Sequence, residues 1–411
     1  MLDLLHATLR SLRAHALRFT LTSLGIVWGA FMLTYLSASM EGTERHFVRA
    51  MQKAGPKIVY MGGGAVLKPR VGERGARQVE LEEEDAQRLA RVGVIEDASP
   101  NVNLWNETVR AGGRTKLLNV QGLSDRGAAM RNFQVARGRF FTPLDLERGA
   151  RVAFLGADAA TRLFGRSDPL ERRLQIGGST FRVVGVAERK GAQLVNTLSP
   201  DDLKVLVPHT TAMRWLTRDE ALSELMFTPT TRDLSGDAVR RARETVARHH
   251  DFHPDLETAL WFFDIQEALQ LIGGMLLALR LFLLVAGITT LLVGAVGVMN
   301  IMLVVVGERT NEIGLRKAVG ASRRAIFLQF FAEAGAVCVA SGAVGTAAGV
   351  GFAQLIARNV SPDSPFASVP AIDFITVASI ALGLVVVGIV AGVAPALRAS
   401  QVPPAEALRA V

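Results

Sequence analysis

"GERTNEIGLRKAVGASRR", residues 307–324, places two acids and five bases between two runs that are almost purely apolar. Upstream, Leu281 to Gly307 contains no charged residue, and downstream neither does Ala334 to Ala357. Phe19 to Met40 and Phe374 to Leu397 are charge-free as well. Each block is roughly 20 residues or longer, enough for a helix to cross a ~30 Å hydrocarbon core. Core helices of a large soluble protein rarely run that far without a charge. The sequence therefore predicts an α-helical membrane protein with four transmembrane helices, the charged stretch being the connector between the second and third. The 411 residues are 49% hydrophobic, with a mean hydropathy of +0.28, which agrees.

The first block resembles a secretory signal in its basic flank of Arg10, Arg13 and Arg18. Its apolar stretch is longer than the usual ~7–15 residues of a signal core, so it reads as an uncleaved anchor. Ahead of it, Leu2, Leu5, Leu9 and Leu12 recur at helical spacing, as in a helix lying on the membrane surface. Orientation follows from the positive-inside bias. The head before Phe19, the connector (Arg309, Arg316, Lys317, Arg323, Arg324) and the tail (Arg398, Arg409) are basic, whereas the link between the last two spans has Arg358 against Asp363 and Asp373. Both termini and the connector are expected in the cytoplasm, and the long segment after the first span on the other side. The net charge of +8 is then a topology signal, not a nucleic-acid footprint.

The divisions are a surface helix over 1–18, spans over 19–40, 271–307, 325–357 and 374–397, and an extracytoplasmic α+β domain with stalk extensions over 41–270. The charged connector covers 308–324, a short outer loop 358–373 and the tail 398–411. The only cysteine, Cys338, falls inside the third span, so the exported domain is expected to be stable through its own core, without a disulfide. Its pattern is mixed. Lys57 to Met61, Arg151 to Leu155, Leu174 to Ile176, Thr180 to Val186, Lys204 to Val207 and Glu224 to Phe227 read as strands, with Gly177-Gly178 as a hairpin turn. Glu82 to Val92, Ala157 to Phe164 and Asp237 to His249 read as helices.

Catalytic chemistry is sparse. The chain contains no GxxxxGK[ST] phosphate loop, and no GxGxxG between a strand and a helix. Met61-Gly62-Gly63-Gly64 reads as a flexible turn. In "RHHDFHPD", His249, His250, Asp251, His253 and Asp255 crowd together. Adjacent histidines point apart on a helix, so the run reads as a helix end followed by a proline-marked surface turn, with a zinc site as the lesser reading. No nucleophile–base pair is legible. Small residues recur every four positions at Gly25 and Gly29, at Ser341, Gly345 and Gly349, and at Gly388, Gly392 and Ala396. Such faces let helices approach closely in a bilayer. Arg280 and Glu333 stand alone near span ends, without the row of buried charge that a proton or ion path needs.

The second span is too long for a bilayer. Helical pattern runs from about Asp264 to Val306, roughly 64 Å at 1.5 Å per residue. Ile265, Leu269, Ile272 and Leu276 continue its apolar face, and the first span extends likewise toward Met51. The two extensions are expected to form a stalk, which Gly273-Gly274 would weaken. In the connector, Thr310 or Asn311 is expected to cap a short helix with Glu312 in its first turn. Glu312 and Arg316 are four apart in the favourable order. Gly320 would close this helix and Ser322 cap the next. Two glycines and mixed charge suit docking on a protein better than on lipid.

"ERTNEIGLRKAVGASRRAIFLQFFAEA" resembles the cytoplasmic loop of MacB/FtsX-type ABC transporter permeases, whose usual form is close to ERTxEIGxRKAxGAxxxxIxxQFxxEA. "LTSLGIVWGA" resembles that family's first span, "ARGRFFTPLD" to "FRVVGVAERKG" its periplasmic core domain, and "PALRASQVPPAEALRAV" its closing motif. One departure is Glu171 in "DPLERRLQIGG", where a glycine is usual. The resemblance implies a permease of the bacterial inner membrane that pairs with a second copy or a paralogue. It binds no cofactor itself; a separate cytoplasmic ABC ATPase subunit would bind ATP and magnesium. Glu308, Arg309, Glu312, Ile313, Gly314, Arg316, Lys317 and Gly320 are the coupling residues carried over by position, with Gly25, Gly29, Gly345, Gly349, Gly388 and Gly392 in helix packing.

The motion of the ATPases would pass through the stalk to the periplasmic domain, with a periplasmic adaptor and outer-membrane channel as further partners. Cargo need not cross between the spans; drug, peptide, lipid, lipoprotein and siderophore all fit. The alternative is a non-transporting FtsX-like signalling or scaffold protein that regulates an extracytoplasmic partner such as a cell-wall hydrolase. FtsX-like chains usually carry a much smaller exported domain, which favours the exporter. A membrane-bound enzyme ranks third.

Overall fold

The computed structural model describes residues 16–55, 57–66, 77–191, 200–217, 222–360 and 369–403. The surface helix expected before residue 16 and the closing motif beyond residue 403 lie outside these residues. The chain divides into two units, one of residues 1–46 and 274–411 and one of residues 47–273. In chain order the helices are α1 (Ala16–Ala54), α2 (Glu83–Leu89), α3 (Asp125–Met130), α4 (Pro143–Glu147), α5 (Ala157–Phe164), α6 (His209–Trp215), α7 (Ser235–His249), α8 (Ile265–Glu308), α9 (Thr310–Ala318), α10 (Arg323–Asn359) and α11 (Phe374–Gln401). The strands are β1 (Val59–Gly63), β2 (Ala65–Val66), β3 (Arg77–Gln78), β4 (Ile95–Ala111), β5 (Arg114–Leu123), β6 (Val135–Gly138), β7 (Val152–Leu155), β8 (Arg173–Ile176), β9 (Ser179–Ala187), β10 (Val205–Pro208), β11 (Glu224–Pro229) and β12 (Leu260–Asp264).

Among the described residues, four helices are long and apolar enough to cross a membrane: Ser23–Ala50 of α1, then α8, α10 and α11. Uninterrupted helix is what a bilayer demands, because lipid offers no partner to a free backbone N–H or C=O. α8 has 44 residues and runs through Gly273 and Gly274 without a break. Glycine supplies the close contacts in this unit. Gly25 approaches Gly294 of α8 and Gly29 approaches Leu291, while a Cβ at Gly345 would strike the Val27 carbonyl. One at Gly349 would meet Thr34, and Gly388 and Gly392 lie over Cys338 and Ala334 of α10. α10 therefore packs on α1 through one small-residue face and on α11 through another.

The other unit is built on a mixed sheet. Among the described residues its strand order is β12-β1-β11-β4-β5-β10-β7-β9-β6, with β8 joining β4 and β9. β5 pairs with β10 and β7 with β9 in parallel, and the remaining pairs are antiparallel. Leu89 of α2, Leu163 of α5 and Val246 of α7 are fully or almost fully buried in one core cluster with Val109, Phe181 and Phe227 of the sheet. A second cluster gathers Ile58, Tyr60, Phe154 and Ile265.

One expectation is corrected here. Met61 to Gly63 is not a flexible turn but most of β1, paired with β12. A Cβ at Gly62 would strike the Trp261 ring, and one at Gly63 the Val79 carbonyl; the glycines admit neighbours that close. The long hairpin of β4 and β5 was not anticipated, nor were α6, β6 and β12. At Gly177 and Gly178 the turn is as expected, with φ of +53° and +90°, the left-handed pair of a type I′ hairpin. Glu171 adopts φ +60°, so the backbone conformation that favours glycine is kept without one.

A cluster of buried charge lies within this unit. Arg131 pairs with Asp201, which also receives Lys190 at 2.9 Å and Lys204 at 3.3 Å. Arg131 also donates to Gln121, whose amide donates to Asn101 at 2.8 Å and Asn103 at 3.1 Å. Burial alone would raise the Asp201 carboxyl, but the three cations outweigh it and hold it far below the usual carboxylate range.

Candidate functional site

The connector folds as α9, a short helix from Thr310 to Ala318 set between α8 and α10. Ile313 and Gly314 are its buried residues, and Ile313 joins the core of the helical unit with Val306, Ile326 and Phe330. An apolar residue and a glycine on one face let the helix lie flat on the bundle. Its polar residues then complete the seat. Arg309 reaches Glu333 of α10 at 3.3 Å and Glu312 at 3.6 Å. Arg316 donates to the Gln329 side-chain oxygen at 2.7 Å, and Gln329 donates to Glu333 at 3.2 Å. Lys317 donates to the carbonyls of Ser400 and Val402 at the end of α11, where a helix leaves carbonyls without partners. Burial and the nearby Arg323 lower the Lys317 ammonium below its usual range.

The arrangement brings Arg309, Glu312, Ile313, Gly314, Arg316 and Lys317 together on α9 and its base. Glu308 ends α8, exposed. Gly320 has φ +105° and turns the chain after α9, and the Ser322 hydroxyl caps α10 by accepting from the Ala325 N–H at 3.2 Å. Two details differ from the sequence reading. Thr310 does not cap α9: Arg309 holds the cap position, and the Thr310 hydroxyl donates backward to the Val306 and Gly307 carbonyls. Glu312 and Arg316 do not pair, because each finds a partner nearer the bundle. The sequence reading also missed Leu315 and Val319, which stand 57% and 82% exposed on this otherwise charged stretch. The signal available was their spacing of four, one helical turn on a single face.

In "RHHDFHPD" the helix α7 ends at His249 as expected. The two imidazoles do not point apart, however; their centroids are 5.0 Å apart, edge to face. His249 is the last helical residue and His250 the C-cap at φ −92°, ψ 9°, and this change of backbone swings the second ring toward the first.

Residues 19–245 match the MacB-like periplasmic core domain family, and residues 284–404 match the FtsX-like permease C-terminal family. The chain is 31% identical over 427 residues to the macrolide export ATP-binding/permease protein MacB of Bdellovibrio bacteriovorus, covering 100% of this chain and 62% of the relative. It is 33% identical over 405 residues to the protein of the same name from Rhodospirillum rubrum, covering 98% and 59%. The chain thus spans about 60% of the length of these curated relatives. Among solved structures it is similar to the periplasmic region of MacB from Actinobacillus actinomycetemcomitans, with 17% identity, a TM-score of 0.43, and 54% of this chain and 95% of that one covered. The extracellular domain of the ABC-type transporter YknZ from Gram-positive bacteria gives 16% identity and a TM-score of 0.42, over 50% of this chain and 100% of that one. One family match takes in the first span and the domain that follows it, and the other takes in the charged connector and the last two spans; the chain belongs to the family of MacB-like, FtsX-like ABC transporter permeases.

Proposed function

We propose that this chain is the permease component of an exporter in which an ATP-hydrolysing partner docks on α9. The observation that carries the reading is the division of labour on that helix. Arg309, Arg316 and Lys317 are spent holding it to its own bundle, while Leu315 and Val319 are left bare on a charged surface. Apolar side chains amid charge are the usual core of a protein contact, with the polar surroundings as its rim. ATP and magnesium belong to the partner. The connector and both termini face the cytoplasm, as the excess of arginine and lysine there directs.

A second permease copy or a paralogue completes the assembly. Leu271 is 65% exposed near one end of α8 and Val304 is 49% exposed near the other. They stand 33 positions apart, roughly 50 Å of helix, against a hydrocarbon core of ~30 Å. Lipid would not cover both, and a second copy is the partner we propose for the remainder. The long helices α1 and α8, which contribute residues to both units, would carry the motion of ATP turnover to the extracytoplasmic domain. The curated relatives are named for macrolide export; for this chain the cargo class is drugs, peptides, lipids or lipoproteins, handed to an adaptor and outer channel.

The test is the double variant Leu315→Ser/Val319→Ser. It should abolish co-purification of the ATPase and cargo-stimulated ATP hydrolysis while the permease reaches normal membrane levels. Leu117→Ser, at a residue 68% exposed on β5, should retain both. Wild-type recovery of the ATPase by the double variant would overturn the docking assignment. Exchanging Glu312 and Arg316 is a poorer test, since it would also break their contacts with Arg309 and Gln329.

A further inference from the structure

Among the described residues, metal-ligating side chains gather where α7 ends against the start of α2. The His250 Nε2 lies 2.7 Å from the Asp85 Oδ2, and the His249 Nε2 lies 3.6 Å from the Glu82 Oε2. The donor atoms of Asp85, His249 and His250 all fall within 4.8 Å of one another, as do those of Glu82, Glu84 and His249. We propose that Asp85, His249, His250 and Glu82 form a site for a zinc ion, clamping the start of α2 to the end of α7.

Three physical points support this. The first is spacing. Four donors placed ~2.0–2.1 Å from a tetrahedral zinc stand about 3.3 Å from each other, and the two observed pairs bracket that value. The donor atoms of Asp85, His249 and His250 lie no more than 4.8 Å apart, so side-chain rotation about an ion is what ligation requires. The second is charge. Two carboxylates and two neutral imidazoles around a divalent ion make a neutral set, and imidazole donors select a borderline cation over calcium or magnesium. The third is the support of the buried carboxylate. The other oxygen of Asp85 is held by Arg88 at 3.3 Å, and its Oδ2 accepts the Glu82 N–H at 3.0 Å, so the carboxylate is aimed before any ion arrives.

The site differs from an incidental surface cluster in its depth and in its reach. Asp85 is fully buried and the His250 side chain is 11% exposed, while His249 and Glu82, at 34% and 59%, leave an entry from solvent. His250 and Asp85 are 165 residues apart in sequence, so the ion would join two distant parts of the domain. His253 is not included: its side chain is 77% exposed and pairs with Asp255.

The experiment uses the full chain in detergent, purified without a histidine tag, stripped with chelator and titrated with zinc chloride against a chromophoric indicator. One zinc per chain is expected. His249→Ala and Glu82→Gln, both at exposed positions that leave the fold intact, should each weaken binding at least about tenfold, since loss of outer-shell partners alone typically costs about 10–100-fold. His253→Ala should match the wild type. Cobalt in place of zinc should give the intense visible bands of a tetrahedral centre, lost in His249→Ala. Absence of stoichiometric zinc, or wild-type affinity in His249→Ala, would overturn the site, and so would equal loss in His253→Ala.

Discussion

Lys204 shares the Asp201 carboxylate with Arg131 and Lys190, and all four side chains are buried. Burial first, with Arg131 alongside and Asp201 in partial opposition, lowers Lys204 to about 8. In an unfolded chain the same amine titrates near about 10.4. Between those values the unfolded state binds the extra proton, so stability rises with pH through that window. Lys190 is lowered as well, mainly by burial, and acts in the same direction. Tyr60 works the other way: burial raises it to about 12, so above about pH 10 the folded state holds a proton that the unfolded state has lost. Thermal unfolding followed by tryptophan fluorescence should therefore shift to higher temperature from about pH 8 to about pH 10 and turn down beyond it. Lys204→Met should flatten the rise. Asp201→Asn should instead cost about 3–5 kcal/mol at neutral pH, because it strands three buried cations. A melting temperature that falls steadily from neutral pH in the wild type would contradict the role given to Lys204.

At the level of the element, packing within the helical unit rests on small residues, and a bulky replacement separates faces that touch from faces that do not. Gly345→Leu would drive a side chain into the Val27 carbonyl and the Ala30 methyl of α1, whereas nothing lies within 4 Å of a Cβ at Gly351. Overpacking of that kind typically costs about 1–3 kcal/mol. Cys338 is the only cysteine in the chain and is fully buried, so a thiol-reactive dye reads unfolding of this unit directly. Gly345→Leu should expose Cys338 at a lower temperature than the wild type, and Gly351→Leu should not; equal behaviour of the two would remove Gly345 from the packing face. These glycines were legible from their period of four, although glycine is common in membrane helices anyway, and their partners on neighbouring helices were not. The charge-free runs behind α8, α10 and α11 were legible too: length without charge leaves a helix few other places to be. The sheet was harder to read. β4 carries Asn101 and Asn103 where an alternating strand would show apolar residues, and their partners Gln121 and Glu224 arrive from β5 and β11. A hydrogen-bonded core reads as a loop until its partners are known. Gly62 and Gly63 misled in the opposite sense, since the ring and carbonyl that require them are distant in sequence. In the connector, the helix and its closing glycine could be read locally. The partners of Arg316 and Lys317 could not, because Gln329, Ser400 and Val402 meet α9 only in three dimensions.

For the whole molecule, the distribution of charge along the chain makes a claim that no single helix makes. The connector has five bases against two acids, whereas residues 358–373 have one base against two acids. Arginine and lysine near span ends are retained on the cytoplasmic side, and four spans return the chain to the side where it began. The mixed-sheet domain follows the first span, so the proposed topology expects it on the other side of the membrane from the connector. Reactive thiols give the test, in a Cys338→Ala background that removes the one native cysteine. Thr115→Cys, exposed on β5, should react with a membrane-impermeant thiol reagent once the outer membrane has been made leaky and the inner membrane left intact. Ala318→Cys, exposed at the end of α9, should react only after the inner membrane is opened. The assignment is asymmetric in its risk. Labelling of Ala318→Cys in sealed cells would place α9 outside, and with it any ATPase contact through Leu315 and Val319 would be impossible, whatever the strength of the family resemblance. Protection of Ala318→Cys together with protection of Thr115→Cys would instead break the count of spans. Only the pair of outcomes, one thiol open and one shielded, leaves α9 where an ATP-driven partner can reach it.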